Sequence, residues 1–482
     1  MRESSDLVTR VPWRDWSAAA FDYARSLNRP ILLSIVTKWS RGCDEMDAAV
    51  FSDEALASLL TERVVPIRVD ADRRPDINDR YNLGGWPTTA ILAPDGELLG
   101  GGTFVPAARL RDALVQAADA IAGPLPPRRS APEVPAREAA PAQPLDPERV
   151  VAFCRSQLVT TFDRHNAGFG SAPKFHHADA LEFALELFRR DRDEELLRIA
   201  LQTLDSMIES ELWDSVQGGF YRYAITDDWL PQPEKTLESN VRMARVFLEA
   251  WTATGDELHR DRLIALLSYV NQRLTDSVDG GFLACEVDRT LFADVNGLAS
   301  ELFARAAIAL SDESLLDTAG RALDRILQPG YEPGGGIAHY VAGGRAVLRP
   351  LLCDHVYVSG ALLAVFEAAA RPVYRDLAAE LMHFAVRTMW DEDRGGFRDR
   401  GASDDGFDIG LMREAFYPFA ANCDAAVVLA SLGTQGQAEL GRMAQPTLAA
   451  LSGDWEALGL DACHYAVALL RAAPSSDSAP TR

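Results

Sequence analysis

An apolar run leads directly into a polar turn and a cysteine in Arg29-Pro30-Ile31-Leu32-Leu33-Ser34-Ile35-Val36-Thr37-Lys38-Trp39-Ser40-Arg41-Gly42-Cys43. The run is rich in β-branched and long aliphatic residues, which favours a buried strand. Apolar residues at helical spacing follow at once, beginning with Met46, Val50 and Phe51. A strand followed directly by a helix predicts an α/β unit whose functional end is the turn at 37–43.

The first 123 residues supply the elements of one small α/β domain. Helical or alternating patterns predict a helix at 13–27, strands at 31–36 and 64–70, a helical connection at 72–81, a strand after Pro87, a hairpin at 94–100 and a closing helix at 107–121. This order of elements is typical of a thioredoxin-like domain. In that fold the proline before the third strand is cis, so we expect Pro87 to be cis.

Composition limits the classes of partner. The chain has 482 residues, enough for two or three domains, and a formal net charge of −23 that disfavours nucleic acid and anionic membranes. Six cysteines are dispersed without paired spacing, which suits a reducing compartment. Neither a secretory signal nor a membrane-spanning apolar run is visible. The composition therefore predicts a soluble, cytoplasmic protein.

A proline-rich stretch separates the α/β domain from a second, helical domain. Eight prolines fall between 124 and 147, which predicts a semi-rigid linker. Beyond it, long apolar-periodic segments alternate with glycine turns that end at Phe169, Phe220, Phe282, Ile337 and Phe397. This repetition predicts about six helical hairpins closing into a double ring. We therefore predict a thioredoxin-like domain at 1–123, a linker at 124–147, an all-α (α/α)6 domain at 148–472 and a disordered tail at 473–482.

Several motifs together resemble one known family. They are Pro30-Ile31-Leu32-Leu33-Ser34-Ile35, Gly84-Gly85-Trp86-Pro87, Gly101-Gly102-Thr103-Phe104-Val105-Pro106 and Gly168-Phe169-Gly170-Ser171-Ala172-Pro173-Lys174-Phe175. They resemble the spermatogenesis-associated thioredoxin-like family, which fuses a thioredoxin-like domain to a six-hairpin glycosidase-like toroid. The resemblance spans about 11–471 and implies the same multidomain architecture here.

The resemblance also shows a departure at the active turn. The family usually carries Cys-His-Trp-Cys-His, and the matching residues here are Ser40-Arg41-Gly42-Cys43-Asp44. Dithiol exchange needs an attacking thiolate and a resolving thiol, and a serine hydroxyl cannot replace the first. We expect Ser40 and Pro87 to be structural. Cys43 is the catalytic candidate for a thiol-redox role through mixed disulfides, provided that its thiol is reachable and its pKa is depressed.

Candidate residues in the helical domain lie near the starts of inner helices. By analogy with sugar-handling toroids, we predict Glu234 and Asp354 as catalytic carboxylates that converge with Asp424 at the rim of one funnel. Each has a structural alternative: a carboxylate or asparagine can cap a helix, and a histidine can be a satisfied core residue. The predicted substrate-binding residues are Lys174, Lys235, Asn240, His355, Tyr417, Asn422 and Asp424, with Asn296 as a further candidate.

Three functions stay open at this point. The helical domain acts on or binds a sugar-like small molecule, or Cys43 carries thiol chemistry, or both sites are degenerate and the protein is a binding scaffold. We expect no cofactor and no metal, because Cys353, His355, Cys423, Cys463 and His464 lack metal-binding spacing. Whether the helical domain catalyses a reaction stays undecided.

Overall fold

A computed structural model of the chain describes residues 11–123, 145–401, 408–453 and 455–473. These residues form two compact units. Unit one contains 11–123 and 408–416, and unit two contains the remaining described residues. Most of the predicted linker and nearly all of the predicted tail lie outside the described residues. The boundaries proposed from the sequence stay predictions.

Unit one is built on a four-stranded sheet in the order β2-β1-β3-β4. Strand β1 pairs in parallel with β2 and antiparallel with β3, as in a thioredoxin-like domain, and the Trp86–Pro87 peptide bond is cis as expected. The elements are α1 (Ala18–Leu27), β1 (Ile31–Val36), α2 (Arg41–Ala49), α3 (Glu54–Glu62), β2 (Val65–Asp70), α4 (Pro75–Tyr81), β3 (Thr88–Leu92), β4 (Leu98–Gly102) and α5 (Ala107–Ala122).

The sheet of unit one has an apolar cluster on each face. Alternate residues of β1 point to opposite faces, so Leu33 and Ile35 join one cluster while Leu32 joins the other. The cluster with Leu33 contains Trp16 and Tyr81 as its large aromatic members. Unit one therefore buries its central strand on both faces, which explains the nearly continuous apolar run in the sequence.

A segment distant in sequence completes unit one. Ile409 and Met412 are buried in the same cluster as Tyr81. The Tyr81 hydroxyl donates to the Gly96 carbonyl at 2.8 Å and accepts from the Leu411 N–H at 2.8 Å. These contacts place residues 408–416 in the thioredoxin-like unit, an arrangement that no local pattern in the sequence predicts.

Unit two is a closed double ring of helices. Helices α7, α9, α11, α13, α15 and α18 pack side by side around one axis, and the others lie outside them. The helices are α6 (Pro147–Thr161), α7 (Ala178–Asp191), α8 (Glu194–Glu209), α9 (Leu237–Thr254), α10 (Glu257–Arg273), α11 (Ala293–Leu310), α12 (Glu313–Gly330), α13 (Leu352–Ala369), α14 (Pro372–Met389), α15 (Phe419–Thr434), α16 (Ala438–Gly441), α17 (Ala444–Ala449) and α18 (Ala462–Arg471). The predicted (α/α)6 toroid is confirmed.

Short antiparallel ribbons accompany the helical hairpins. They pair β5 (Lys174–Phe175) with β6 (Tyr223–Ala224), β7 (Tyr331–Glu332) with β8 (Gly336–Ile337), β9 (Tyr340–Ala342) with β10 (Arg345–Val347), and β11 (Trp390–Asp391) with β12 (Gly396–Phe397).

The inner helices are apolar on most of their surface because neighbours pack against them on both sides. Helix α13 is long and apolar enough to cross a membrane by length and composition, but it packs between α11 and α15 as an inner helix of the ring. Its approach to α11 is close at Gly297, where a Cβ atom would lie 2.5 Å from the Tyr357 carbonyl carbon. Glycine is required there by backbone contact.

Candidate functional site

The thiol of the α2 turn is closed off from solvent. Cys43 is 4% exposed, and Ser40 precedes the helix with its hydroxyl 3.5 Å from the Trp86 carbonyl oxygen. Burial raises the pKa of Cys43 to about 11, so the thiolate is disfavoured at neutral pH. Both conditions for a redox role fail, and the assignment of Cys43 as a catalytic residue is corrected to a buried structural thiol.

Several predicted substrate-binding residues instead hold the turns that lead into inner helices. In the turn before α9, Asp214 Oδ1 accepts hydrogen bonds from the backbone N–H groups of Val216 and Gln217. Lys235 Nζ then donates to Asp214 Oδ2 at 2.6 Å and to the Gly218 carbonyl at 2.8 Å. The ammonium group is therefore used within the turn.

Asn240, at the fourth position of α9, closes the same turn. Its Oδ1 accepts from the Phe220 N–H at 2.7 Å, and its Nδ2 donates to the carbonyls of Phe220 and Thr236 at 3.1 and 2.9 Å. We call this arrangement, an aspartate turn fastened by the fourth residue of the next inner helix, a turn clamp. It satisfies buried backbone groups that would otherwise lack partners.

The turn clamp recurs around the ring. Asn296 fastens Phe282 and Asn422 fastens Phe397 through the same three hydrogen bonds. Tyr417 donates to Asp391 at 2.6 Å, and Lys174 binds the equivalent Asp163 at 2.8 Å. The predicted substrate-binding roles of Lys174, Lys235, Asn240, Tyr417 and Asn422, and the candidate role of Asn296, are corrected to turn contacts.

His355 takes the place of the asparagine in α13. Its Nε2 accepts from the Ile337 N–H at 3.2 Å, and its Nδ1 lies 2.7 Å from the Leu351 carbonyl four residues earlier. Burial lowers the pKa of His355, which keeps the ring neutral with its proton on Nδ1. The predicted substrate-binding role of His355 is therefore also wrong, and the satisfied core histidine is correct.

The two predicted catalytic carboxylates are both buried and contact different basic side chains. Glu234 is 4% exposed, with Oε2 3.6 Å from Arg222 Nε, and Asp354 is fully buried, with Oδ1 2.8 Å from His339 Nδ1. Neither is among the residues that line the cavity on the ring axis. Of the three carboxylates predicted to converge in one funnel, only Asp424 lines that cavity.

One group in the described part of the chain has the composition of a metal site. One ligand atom each from Asp294, Cys353 and Asp354 lies within 4.8 Å of the others. Asp294 and Asp354 stand in the first turns of α11 and α13, where helix dipoles stabilise carboxylates and oppose a cation. The placement fits helix starts at least as well as a metal ion.

The convergence of polar groups occurs instead in an axial cavity enclosed by all six inner helices. Its volume is about 90 Å³, room for roughly six to nine waters. Apolar side chains such as Val241, Leu302 and Val428 form part of the wall. The ionisable and hydroxyl residues in the lining are Asp179, Glu182, Arg242, Arg245, Glu301, Arg305, Tyr357, Asp424, Ser431, His464 and Arg471.

His464 lies between two carboxylates in this cavity. Its Nδ1 is 3.1 Å from Asp179 Oδ1, and its Nε2 is 3.1 Å from Asp424 Oδ1. Burial opposes the imidazolium charge, but Asp424 and Asp179 outweigh burial and raise the pKa of His464 well above 6.5. The same contacts, together with Arg242, hold the pKa of both aspartates below the ordinary range against the effect of burial. The three groups are therefore charged at neutral pH.

The arginines of the cavity wall are held by carboxylates. Arg245 lies 3.1 Å from Glu182, and Arg471 bridges Glu182 and Glu249. Burial opposes ionisation of Glu182, yet Arg245 and Arg471 lower its pKa below the ordinary value. The wall thus presents hydrogen-bond donors and acceptors in fixed adjacent positions.

Comparisons with known proteins agree with this fold. Residues 4–122 match the family model Thioredox_DsbH, described as a protein of unknown function, DUF255. Spermatogenesis-associated protein 20 of Homo sapiens is 29% identical over 309 residues, which cover 57% of this chain and 38% of that protein. The resemblance to the spermatogenesis-associated thioredoxin-like family is confirmed. The match spans well under half of that relative's length.

Solved structures show the same helical architecture. D-mannose isomerase has a TM-score of 0.53 at 12% identity, with 62% of this chain and 83% of that chain covered. Cellobiose 2-epimerase from Bacillus thermoamylovorans B4167 has a TM-score of 0.52 at 10% identity, with 62% and 86% covered. At these identities the comparison shows the fold of the helical unit.

Of the residues predicted from the sequence, only Asp424 lines the axial cavity. Asp179, Arg242, Arg245 and Arg471 were missed. A usable signal was present, because Arg242 and Arg245 stand three positions apart in a helix whose other neighbours are mostly apolar. Charged residues at helical spacing on an inner helix indicate a polar stripe toward the ring axis.

Proposed function

We propose that the helical unit binds a sugar-like, polyhydroxylated small molecule in the axial cavity. The observation that carries this proposal is that all six inner helices line one cavity, in which His464 lies between Asp179 and Asp424. Ligand sites in helical rings are concave, with a few convergent polar groups set in an apolar wall. The axial cavity is richer in polar groups than this, because about half of its lining side chains are ionisable or carry a hydroxyl.

The chemistry of the wall fits a polyol. A sugar hydroxyl both donates and accepts hydrogen bonds, and each wall arginine offers donors beside a carboxylate that accepts. The protonated His464 supplies a proton donor next to ionised carboxylates, which are the two halves of acid–base chemistry. The fold neighbours D-mannose isomerase and cellobiose 2-epimerase are sugar enzymes by name, which supports the same ligand class.

In this proposal the thioredoxin-like unit is structural. Its only thiol in the active turn is buried, with a raised pKa, so it does not act as a disulfide reductase. We place the protein in the cytoplasm, because its six cysteines are dispersed without paired spacing and five of them are buried. The acidic chain is not expected to bind nucleic acid or a membrane.

The test is a thermal-unfolding screen of the full chain against free sugars, polyols and sugar phosphates. A ligand at 100 times its dissociation constant adds about 2.7 kcal/mol to stability, which gives a readily measured rise in Tm. Asp424→Asn should abolish the rise, because Asp424 lines the cavity. Glu234→Gln is the matched control outside the cavity and should keep it.

Two results would refute the proposal. One is the absence of any shift across the panel, which would favour a scaffold protein. The other is a shift that Glu234→Gln removes while Asp424→Asn retains it, because the ligand would then bind outside the axial cavity.

A further inference from the structure

We infer that the axial cavity selects an uncharged sugar and discriminates against phosphorylated or carboxylated sugars. The inference rests on the proposed function and adds the charge class of the ligand. Four arginines line the wall, and on their own they would suggest an anion site. The inference follows from the fact that each of them is already paired with a carboxylate.

Every arginine in the wall has a carboxylate within ion-pair distance. Arg242 is 3.0 Å from Glu238 and 3.7 Å from Asp179. Arg305 is 2.8 Å from Glu301. No arginine of the lining is left to act as the receptor for an anion.

The other two arginines share their carboxylates. Arg245 is 3.1 Å from Glu182 and 3.8 Å from Glu249, and Arg471 binds both of these glutamates. Arg471 also lies 3.6 Å from Glu186. Arg189 completes this cluster at 3.2 Å from Glu186 and 3.5 Å from Glu249. Three guanidinium groups thus face three carboxyl groups, so the cluster does not present excess positive charge to a ligand.

The remaining cation of the wall is also flanked. His464 carries a positive charge, but Asp179 and Asp424 lie on its two ring nitrogens at 3.1 Å each. A phosphate or carboxylate ligand would have to approach these aspartates or displace them. The first route is opposed by repulsion between like charges, and the second breaks an ion pair. Both cost electrostatic energy in a partly buried site, where charges are poorly screened.

A neutral polyol meets no such penalty. Its hydroxyls can donate to Asp179, Asp424 or Glu182 while accepting from Arg242 or Arg245, without breaking the ion pairs. Recognition of an anion depends on donors in excess, commonly unpaired arginines in a bidentate arrangement. Since every cation of the described wall is already paired with a carboxylate, the pairing favours the uncharged ligand.

The test compares matched ligands on the full chain by calorimetric titration: glucose with glucose 6-phosphate, and mannose with mannose 6-phosphate. We expect the free sugar of at least one pair to bind, and its phosphate to bind at least tenfold more weakly. Equal or tighter binding of the phosphate would overturn this inference while leaving the proposed sugar site intact. Binding of neither member of any pair in the wider panel would overturn the proposed function and this inference with it.

A charge variant makes the comparison specific to the wall. Glu182→Gln removes the carboxylate shared by Arg245 and Arg471, so it should improve binding of the phosphorylated sugar relative to the free sugar by about tenfold. Glu286→Gln is the matched control, because Glu286 pairs with Arg273 at 2.6 Å away from the cavity lining. An unchanged preference in Glu182→Gln, with the fold intact by circular dichroism, would overturn the assignment of selectivity to the paired arginines.

Discussion

Replacement of Asn296 by leucine separates a turn-clamp role from a ligand-binding role. Asn296 is fully buried at the fourth position of α11. Its side chain accepts from the Phe282 N–H at 2.7 Å and donates to the carbonyls of Phe282 and Phe292 at 2.8 Å each. Leucine has a similar shape, so the substitution mainly removes the three hydrogen bonds.

The expected loss follows from the groups left without partners. The Phe292 carbonyl keeps a hydrogen bond from the Asn296 backbone N–H at 3.2 Å, so the new unsatisfied groups are the Phe282 N–H and carbonyl. A buried polar group that loses its partner costs about 1–3 kcal/mol. Asn296→Leu should therefore lower the free energy of unfolding by about 2–6 kcal/mol.

The assay is urea unfolding followed by far-ultraviolet circular dichroism, with the midpoint and slope of the helical transition compared between variants. Asn271→Leu is the control, because Asn271 is exposed on the outer helix α10 and should change stability by no more than about 0.5 kcal/mol. A loss below about 1 kcal/mol for Asn296→Leu, accompanied by loss of sugar binding, would refute the turn clamp and restore Asn296 as a binding residue.

The remaining predictions concern Cys43, His355 and Gly297. The buried Cys43 thiol should be labelled by iodoacetamide far more slowly in native than in urea-unfolded protein, as read by mass spectrometry; rapid native labelling would contradict its burial. His355→Asn can retain both turn hydrogen bonds and should cost less than His355→Ala, for which about 2–4 kcal/mol is expected in urea unfolding. Because the folded pKa of His355 is lowered, the unfolded chain binds a proton below about pH 6.5 that the folded chain does not, so stability falls below that pH, and His355→Asn should remove this part of the fall. Gly297→Ala should lower Tm because its Cβ meets the α13 backbone, while Gly320→Ala, with open space around it, should be neutral or stabilising; equal effects would refute the close approach of α11 and α13.

The architecture was predictable because its signals are local and repeated. The strand and turn at 29–43 define the α/β unit, and the glycine turns ending at Phe220, Phe282 and Phe397 mark successive hairpins. Glycines at 218, 219, 280, 281 and 395 do adopt positive φ, as tight turns between helices require. Pattern and spacing are therefore sufficient to predict the double ring.

The same repetition misdirected the search for the site. Asp163, Asp214, Asp276 and Asp391 each stand five residues before the second glycine-turn position, and three of the following inner helices carry asparagine at their fourth residue. Polar residues that recur once per hairpin are more consistent with building the hairpin than with one ligand site. Their interpretation as ligand-binding clusters at the starts of inner helices did not include the residues that line the axial cavity, which do not recur from hairpin to hairpin.

The axial cavity depends on information that a single pattern does not contain. His464 meets Asp179 from a position 285 residues away, and the contact forms only when the ring closes between α18 and α7. Which face of each inner helix points to the axis is set by packing against two neighbours. The sequence could indicate a polar stripe on α9, but not which stripes of the other five helices would meet it.

The thioredoxin-like unit is held together by packing contacts that do not involve a dithiol in the α2 turn. Ser40 stands where the attacking thiol of a dithiol motif would be. Cys43 is buried, and burial raises the pKa of its thiol. Tyr81 connects residues 408–416 to the rest of the unit. Its hydroxyl donates to the Gly96 carbonyl and accepts from the Leu411 N–H, while Ile409 and Met412 pack in the core beside it. Gly410 packs so closely on Gly96 that a Cβ atom would lie 2.4 Å from the Gly96 carbonyl oxygen. Residues 408–416 are thus part of the packing that holds the unit together, and these contacts do not involve the thiol of the α2 turn.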